Sequence, residues 1–214
     1  MTWLSEADHA ALREAKKTLR NAVRTRRAAR SPERTATFDH DRFERVAGFL
    51  GDLPADSVVA CYVSIDPEPG TLELISWLHA GQVTVLLPVL GKRADGTPRR
   101  EPDWAPYAGP DSLRIGLWGI PEPTGESLGA EALERAGVVI CSGLAGTTDG
   151  KRLGMGGGWF DRALEHANPD AVLVMLLNDD ELMPDLPTEP WDRRVDVIIT
   201  PSQSLDTTGA SDQA

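Results

Sequence analysis

Five short, almost uninterrupted apolar runs, at residues 57–63, 83–89, 138–141, 171–177 and 195–200, constrain this chain more than any other feature. Each is too short for a buried helix, and none shows the clean alternation of a strand with one wet face. Such runs read as strands covered on both sides. Helical patterns lie between them, so the expected fold is α/β: a single-domain, doubly wound, Rossmann-like and mostly parallel sheet with helices on both faces. A length of 214 residues suits one domain with a sizeable core, assigned here to residues 1–202. Residues 203–214 are polar and small, with too little apolar surface to fix themselves, and disorder is expected there.

The third run leads into a glycine-rich stretch, Asp149-Gly150-Lys151-Arg152-Leu153-Gly154-Met155-Gly156-Gly157-Gly158-Trp159-Phe160-Asp161-Arg162. Four glycines within five positions leave the backbone nearly bare, so consecutive N–H groups can turn toward one anion where a helix, expected over residues 159–167, presents its positive end. Lys151 and Arg152 supply charge from one side, and Asp161 lies one turn into the helix, placed to hold a divalent metal beside a phosphate. A Walker loop needs a lysine after the glycines, and a dinucleotide fingerprint needs glycine where Trp159 stands, so neither pattern applies. A glycine turn that merely packs a helix tightly on a sheet is the competing reading.

Upstream, residues 5–30 read as one helix. Ser5 and Asp8 fit a capping box, and Ala11, Leu12, Ala15, Leu19, Ala22 and Val23 form an apolar stripe. Arg13, Lys16 or Lys17, Arg20, Arg24 and Arg27 recur every three or four residues, so several cations can converge on one anion or simply form a solvated face. A second helix starts at Ser31-Pro32-Glu33 and ends near Gly51, with Phe38, Phe43, Val46, Phe49 and Leu50 as core positions. The loop after the first strand carries Asp66-Pro67-Glu68-Pro69-Gly70-Thr71, at a strand carboxyl end where open α/β sheets take ligands. Residues 97–123 shift to Pro, Gly and Trp, an excursion that walls the sheet; Trp104 and Trp118 in it are either core plugs or a ligand surface.

A formal net charge of −11 argues against a general nucleic-acid binder. No apolar run approaches a membrane span and no basic, apolar leader opens the chain, so a cytoplasmic protein is expected. Cys61 and Cys141 sit inside apolar runs and read as reduced, buried thiols. His9, His40, His79 and His166 share no spacing and no nucleophile motif, which argues against a histidine-driven hydrolase.

Residues 150–162 resemble the signature of the 5-formyltetrahydrofolate cyclo-ligase family, Gly-x-Arg-Leu-Gly-x-Gly-Gly-Gly-Tyr-Tyr-Asp-Arg, with Trp159-Phe160 in place of two tyrosines. Three further stretches are similar: Lys16-Lys17-Thr18-Leu19-Arg20, the segment from Glu68 to Thr71, and Asp192-Arg193-Arg194-Val195-Asp196. The resemblance implies ATP- and magnesium-dependent cyclisation of 5-formyltetrahydrofolate to 5,10-methenyltetrahydrofolate with release of ADP and phosphate. It assigns Lys16, Arg20, Arg152, Leu153, Gly154, Met155, Gly156, Gly157, Gly158, Trp159 and Phe160 to ATP, and Asp161 and Asp192 to Mg2+. Glu68, Met155, Trp159 and Trp118 fall to the folate, with Arg152 and Glu68 as the catalytic pair. The partner implied is a small molecule, with no nucleic acid or membrane involved, and a monomer is expected. The family's Pro-Gly-Leu-Ala-Phe-Asp reads here Ser142-Gly143-Leu144-Ala145-Gly146-Thr147, without the aromatic and the carboxylate. A homologue that binds nucleotide or folate without turnover is the alternative.

Overall fold

The computed structural model describes residues 5–93, 95–189 and 192–209. Two helices open it, α1 (Glu6–Ala28) and α2 (Pro32–Leu50), followed by β1 (Val58–Cys61), α3 (Leu72–Ala80), β2 (Thr84–Pro88) and β3 (Trp104–Pro106). A hairpin of β4 (Leu113–Ile115) and β5 (Pro121–Pro123) precedes β6 (Val138–Cys141), and the glycine stretch is framed by β7 (Ala145–Gly146), β8 (Arg152–Leu153) and α4 (Trp159–Leu164). Then come β9 (Val172–Leu176), β10 (Val197–Ile199) and β11 (Ser204–Asp206). Among the described residues no helix is long and apolar enough to cross a membrane.

Seven strands form the main sheet in the order β11-β10-β9-β6-β1-β2-β3. The five apolar runs supply β1, β2, β6, β9 and β10, all mutually parallel, while β3 and β11 close the edges antiparallel. Leu86 and Leu87 point to opposite faces yet are both fully buried, so both faces are covered, as the absence of alternation predicts. From β1 the chain steps outward to β2, then returns to β6 on the other side and continues outward to β9 and β10. Right-handed crossovers in opposite directions put α3 and α4 on opposite faces. The doubly wound α/β expectation holds, and the reversal puts a switch point between the carboxyl ends of β1 and β6, where such sheets bind ligands.

The expectation for residues 203–214 needs correction. Ser204–Asp206 pairs with β10, Ile198 opposite Leu205, because the free edge of β10 offers a ladder that any short extended segment can take. Thr207 is buried behind it, its amide donating to the Asp196 carbonyl (2.9 Å) and its hydroxyl to the Val195 carbonyl. Residues 210–214 lie outside the described residues.

The capping box of α1 forms as expected, with the Ser5 amide donating to Asp8 (2.9 Å) and the Asp8 amide to Ser5 Oγ (3.2 Å). Of its apolar stripe only Val23 is fully buried, however. Lys16, Val23 and Arg27 are buried, and Ala11, Ala15 and Ala22 are exposed. The reason is what lies beneath: Val23 packs with Leu144, Ala145, Leu153 and Leu186 in a small second core made of loops, whose polar backbone calls for basic partners. In α2, Val46 is buried, but Phe49 is largely exposed, and Phe38 carries the guanidinium groups of Arg30 and Arg34 over its ring.

A buried polar chain ties both helices to the carboxyl end of the sheet. Arg27 makes a bidentate pair with Glu181, Nε to Oε1 and Nη2 to Oε2, both 2.8 Å, and donates to the Gly143 carbonyl. Glu181 accepts from the Asn178 amide (2.9 Å) and Nδ2 (2.7 Å), Asn178 Oδ1 accepts from Arg42, and Arg42 reaches Asp39, which takes the Gly70 amide. Burial alone would pull the Arg27 pKa down, but Glu181 outweighs it and holds the charge. Replacing Glu181 with Gln leaves a buried guanidinium without its counter-charge and is expected to cost about 3–5 kcal/mol. Chemical denaturation reads this directly, and a loss below about 1 kcal/mol, as for a surface pair, would contradict it.

Candidate active site

The site is built from three carboxyl-end loops with α1 strapped across them. The loop after β6 doubles back as the β7–β8 hairpin and enters the glycines, where α1 grips it: Arg20 Nε donates to the Gly154 carbonyl (2.9 Å) and Arg24 to the Met155 carbonyl (2.8 Å). With their carbonyls held, the amides face away. None of the backbone N–H groups of residues 155–161 donates a hydrogen bond among the described residues. A row of unpaired amides ending at a helix start is an anion cradle. Gly156, at φ 104°, occupies a left-handed conformation, and a Cβ there would come within 3.3 Å of Arg20 Nε; at Gly157 a Cβ would meet nothing within 4 Å, so the cradle is open beside it.

Charge surrounds this backbone. Arg20 uses only Nε, leaving its terminal nitrogens for a ligand; burial and the neighbouring Arg24 pull its pKa down, so an anion there would restore it. Arg152 is buried, pairs with Asp161 through Nη2, and keeps a buried Nε with no partner among the described residues. Lys16 is held by Asp192 (2.7 Å) and Glu189 (2.9 Å); burial works against its charge, but the two carboxylates outweigh it and raise its pKa. Asp161 and Asp192 both act on Arg20, so the structure gathers Lys16, Arg20, Arg152, Asp161 and Asp192 around the glycines. Among the described residues no group of three or more metal-type side chains forms a protein cage.

Glu68 sits across the switch point, after β1. Its Oε2 accepts from the Ile65 amide (3.1 Å), closing a turn, and burial raises its pKa above the ordinary 4.5 despite that bond and the field of Arg27. Other sequence candidates land differently. Leu153 is buried in the small core and offers only backbone; Met155 packs against that core beside Leu19. Phe160 is 9% exposed and belongs to the main core, so of the two rings only Trp159 keeps an outward part. Trp159 meets Trp104 edge-on at 5.0 Å, whereas Trp118 stands 74% exposed at the tip of the β4–β5 hairpin, with no ring partner among the described residues.

The altered residues before the glycine loop are filled from elsewhere. A Cβ at Gly146 would lie 2.7 Å from Ile198 Cδ1 and Met175 Cε, so core side chains occupy the volume an aromatic there would need. Thr147 bonds Asp149, which also takes Arg194 (2.9 Å), so a carboxylate is supplied two residues later. Sequence reading missed Arg42, Asn178, Glu181 and Glu189. The Asn178-x-x-Glu181 spacing of a capping pattern was the available signal for two of them.

A doubly wound α/β protein with cations gathered around unpaired glycine-loop amides at its switch point is the class that this geometry defines. The family model described as "5-formyltetrahydrofolate cyclo-ligase family" matches residues 12–201. A 5-formyltetrahydrofolate cyclo-ligase of Mycolicibacterium smegmatis is 34% identical over 163 residues, 76% of this chain and 83% of the relative. Its namesake in Escherichia coli K12 is 30% identical over 182 residues, 85% of this chain and 97% of the relative. In structure, the 5,10-methenyltetrahydrofolate synthetase of Aquifex aeolicus superposes with a TM-score of 0.73 at 25% identity, covering 90% of this chain and 93% of that one. The chain belongs to the 5-formyltetrahydrofolate cyclo-ligase family and is an enzyme of that family.

If the cradle and its cations form one anion site, Arg20→Met removes a charge-assisted donor together with its bond to the Gly154 carbonyl. Inorganic tripolyphosphate should then bind about tenfold or more weakly, since such bonds contribute about 1.5–3 kcal/mol. Isothermal calorimetry measures this; equal affinity in both proteins would remove Arg20 from the site.

Proposed function

We propose that the enzyme cyclises 5-formyltetrahydrofolate to 5,10-methenyltetrahydrofolate, consuming ATP with Mg2+ and releasing ADP and phosphate. The observation that carries this reading is the row of unpaired amides at residues 155–161 beside the unpartnered Arg152 Nε, since a buried unpaired donor calls for a partner. Family membership supplies the substrate. When bound, magnesium-ATP would supply the phosphoryl group that makes the formyl oxygen a leaving group, and N10 would close on the formyl carbon as phosphate departs.

The residues present fit both groups. Mg2+ keeps waters and phosphate oxygens and needs only one or two carboxylates, which Asp161 and Asp192 supply without a protein cage. In the ligand-free chain Lys16 rests on Asp192 and Arg152 on Asp161. On binding, Lys16, Arg20 and Arg152 would turn to phosphate oxygens and release the aspartates to the metal. Catalysis of this kind is positioning and charge neutralisation, which fixed amides and guanidinium groups perform without reorganising. Glu68, its carboxyl pKa raised by burial, offers the reduced folate a hydrogen-bonding carboxyl group; Trp159 and Trp118 supply ring surface.

The direct test is near-ultraviolet absorbance, because the methenyl product has a chromophore that the substrate lacks. The band should grow only with ATP and Mg2+ together; a flat trace from folded protein that binds either ligand would point to the non-catalytic homologue instead. Asp161→Asn should raise the Mg2+ concentration for half-maximal rate roughly tenfold, as loss of a ligand-orienting group does, and an unaltered titration would sink its metal role.

Glu68 also makes a pH statement. The folded chain holds its proton more tightly than the unfolded chain, so Glu68 opposes folding at neutral pH and ceases to as pH falls through its raised value toward 4.5. Glu68→Gln should therefore be at least as stable as the parent at pH 7 and lose the dependence in that window, while use of folate falls and ATP binding is retained. Thermal melts from pH 4 to 7 with paired kinetics check both; parallel loss of stability and activity would make Glu68 a turn-closing residue only.

A further inference from the structure

The β4–β5 hairpin stands outside the main sheet, and nothing in the chemistry above requires it to be rigid. Yet its base is built around a buried carboxylate. Glu122, 1% exposed, accepts from the amides of Leu90 (2.8 Å) and Gly91 (2.7 Å), just beyond the carboxyl end of β2, and from Arg114 Nε (3.1 Å) and Nη2 (3.0 Å) on the facing strand. The backbone is shaped to admit it: a Cβ at Gly91 would lie 2.5 Å from Glu122 Oε1, and one at Gly116 2.6 Å from its Cδ.

What this anchor holds out is apolar. Ile115 is 74% exposed, Leu117 45% and Trp118 74%. The tip is closed by the Gly116 amide on the Ile120 carbonyl (2.9 Å), with Trp118 and Gly119 at φ 57° and 79°. A tight left-handed turn that displays three large apolar side chains to water, on a base whose polar groups are fully satisfied, marks a binding surface rather than a packing fault. Its location selects the ligand. The base is fixed at the end of β2, and β2 neighbours β1, whose loop carries Glu68. Adjacent strands lie only about 4.8 Å apart, so the hairpin rises beside the folate side of the switch point.

We propose that Glu122 is a positioning residue for folate. It latches the hairpin to the carboxyl end of β2 and so sets where Trp118 and its apolar neighbours stand over the mouth of the site. The inference rests on the cyclo-ligase reading above and adds to it the element that fixes the substrate wall. Glu122 touches no reacting atom; it acts through Trp118.

A double-mutant cycle tests this in the full-length protein, with initial rates read from the methenyl band. Glu122→Gln turns one acceptor oxygen into a donor, which must meet either the Leu90 and Gly91 amides or the Arg114 guanidinium, so KM for 5-formyltetrahydrofolate should rise about tenfold, the equivalent of one lost hydrogen bond to a charged group. KM for ATP should stay within about twofold. In a Trp118→Ala background the same substitution should add less than about twofold, because the residue it positions is gone. Exchange of the Leu90 and Gly91 amides should quicken in Glu122→Gln. Arg114→Met, which leaves both backbone bonds in place, should shift folate KM in the same direction but less, and guards against a Glu122 variant that fails to fold. Equal effects of Glu122→Gln in both backgrounds, or equal loss toward ATP and folate, would overturn the latch. A flat absorbance trace from the unsubstituted protein would instead remove the cyclo-ligase reading, and the latch with it.

Discussion

The ion pair between Arg27 and Glu181 is the interaction on which the site depends. It joins the last turn of the first helix to the loop after β9, and neither side is wet, so the pair is held by geometry rather than by water. Arg27 also takes the Gly143 carbonyl at the root of the glycine loop, and Glu181 organises Asn178, through which Arg42 and Asp39 reach the amide of Gly70. Both sides of the switch point are therefore braced by one connected set of hydrogen bonds. Such a set is stable only when complete, because an unpaired member in a low-dielectric interior costs more than the bond it replaces. The helix that carries Arg27 also carries Lys16, Arg20 and Arg24, so fixing one end of it sets Arg20 and Arg24 on the glycine loop and Lys16 on Asp192.

Around that frame the charges are paired in a way that suits exchange. Lys16 and Arg152, cations suited to phosphate, rest on Asp192 and Asp161, carboxylates suited to a metal. Neither kind of group is left alone in a partly buried place before ligand arrives, which keeps the site folded. A polyanion and a divalent cation arriving together can take both halves of each pair; either alone would strand the other half. The environment across the switch point is different: Glu68 is poorly solvated and the hairpin held by Glu122 displays apolar surface.

Much of the fold was legible because its strongest signal, unbroken apolar runs of strand length, has one economical solution in a doubly wound sheet. The capping box at Ser5 and Asp8 and the proline start of α2 were readable for the same reason: each is a local rule obeyed locally. The glycine loop and its flanking charges were readable as a candidate anion site, and the resemblance suggested a substrate for it. What sequence did not yield was set at long range. Nothing in the periodicity of α1 says that Lys16 and Arg27 are buried while Ala11 and Ala15 are exposed; that follows from the helix lying on loops instead of on the sheet. The edge strand Ser204–Asp206 has little apolar content of its own and forms because β10 offers an unpaired edge. Phe160 looked like half of an aromatic wall, but the turn of α4 carries it into the core and leaves Trp159 with Trp104. Gly146 and Thr147 looked like losses until Met175, Ile198 and Asp149 were found in their places.

The central claim is that the unpaired amides of residues 155–161, braced by α1, are where the nucleotide phosphates bind. Hydrogen–deuterium exchange with and without magnesium-ATP measures this most directly, since those amides have no partner to slow their exchange until an anion arrives. The account expects marked slowing at residues 155–161 and along the face of α1 that carries Lys16 and Arg20, with the far edge at β11 unchanged. Nucleotide binding that leaves residues 155–161 exchanging as before would contradict it.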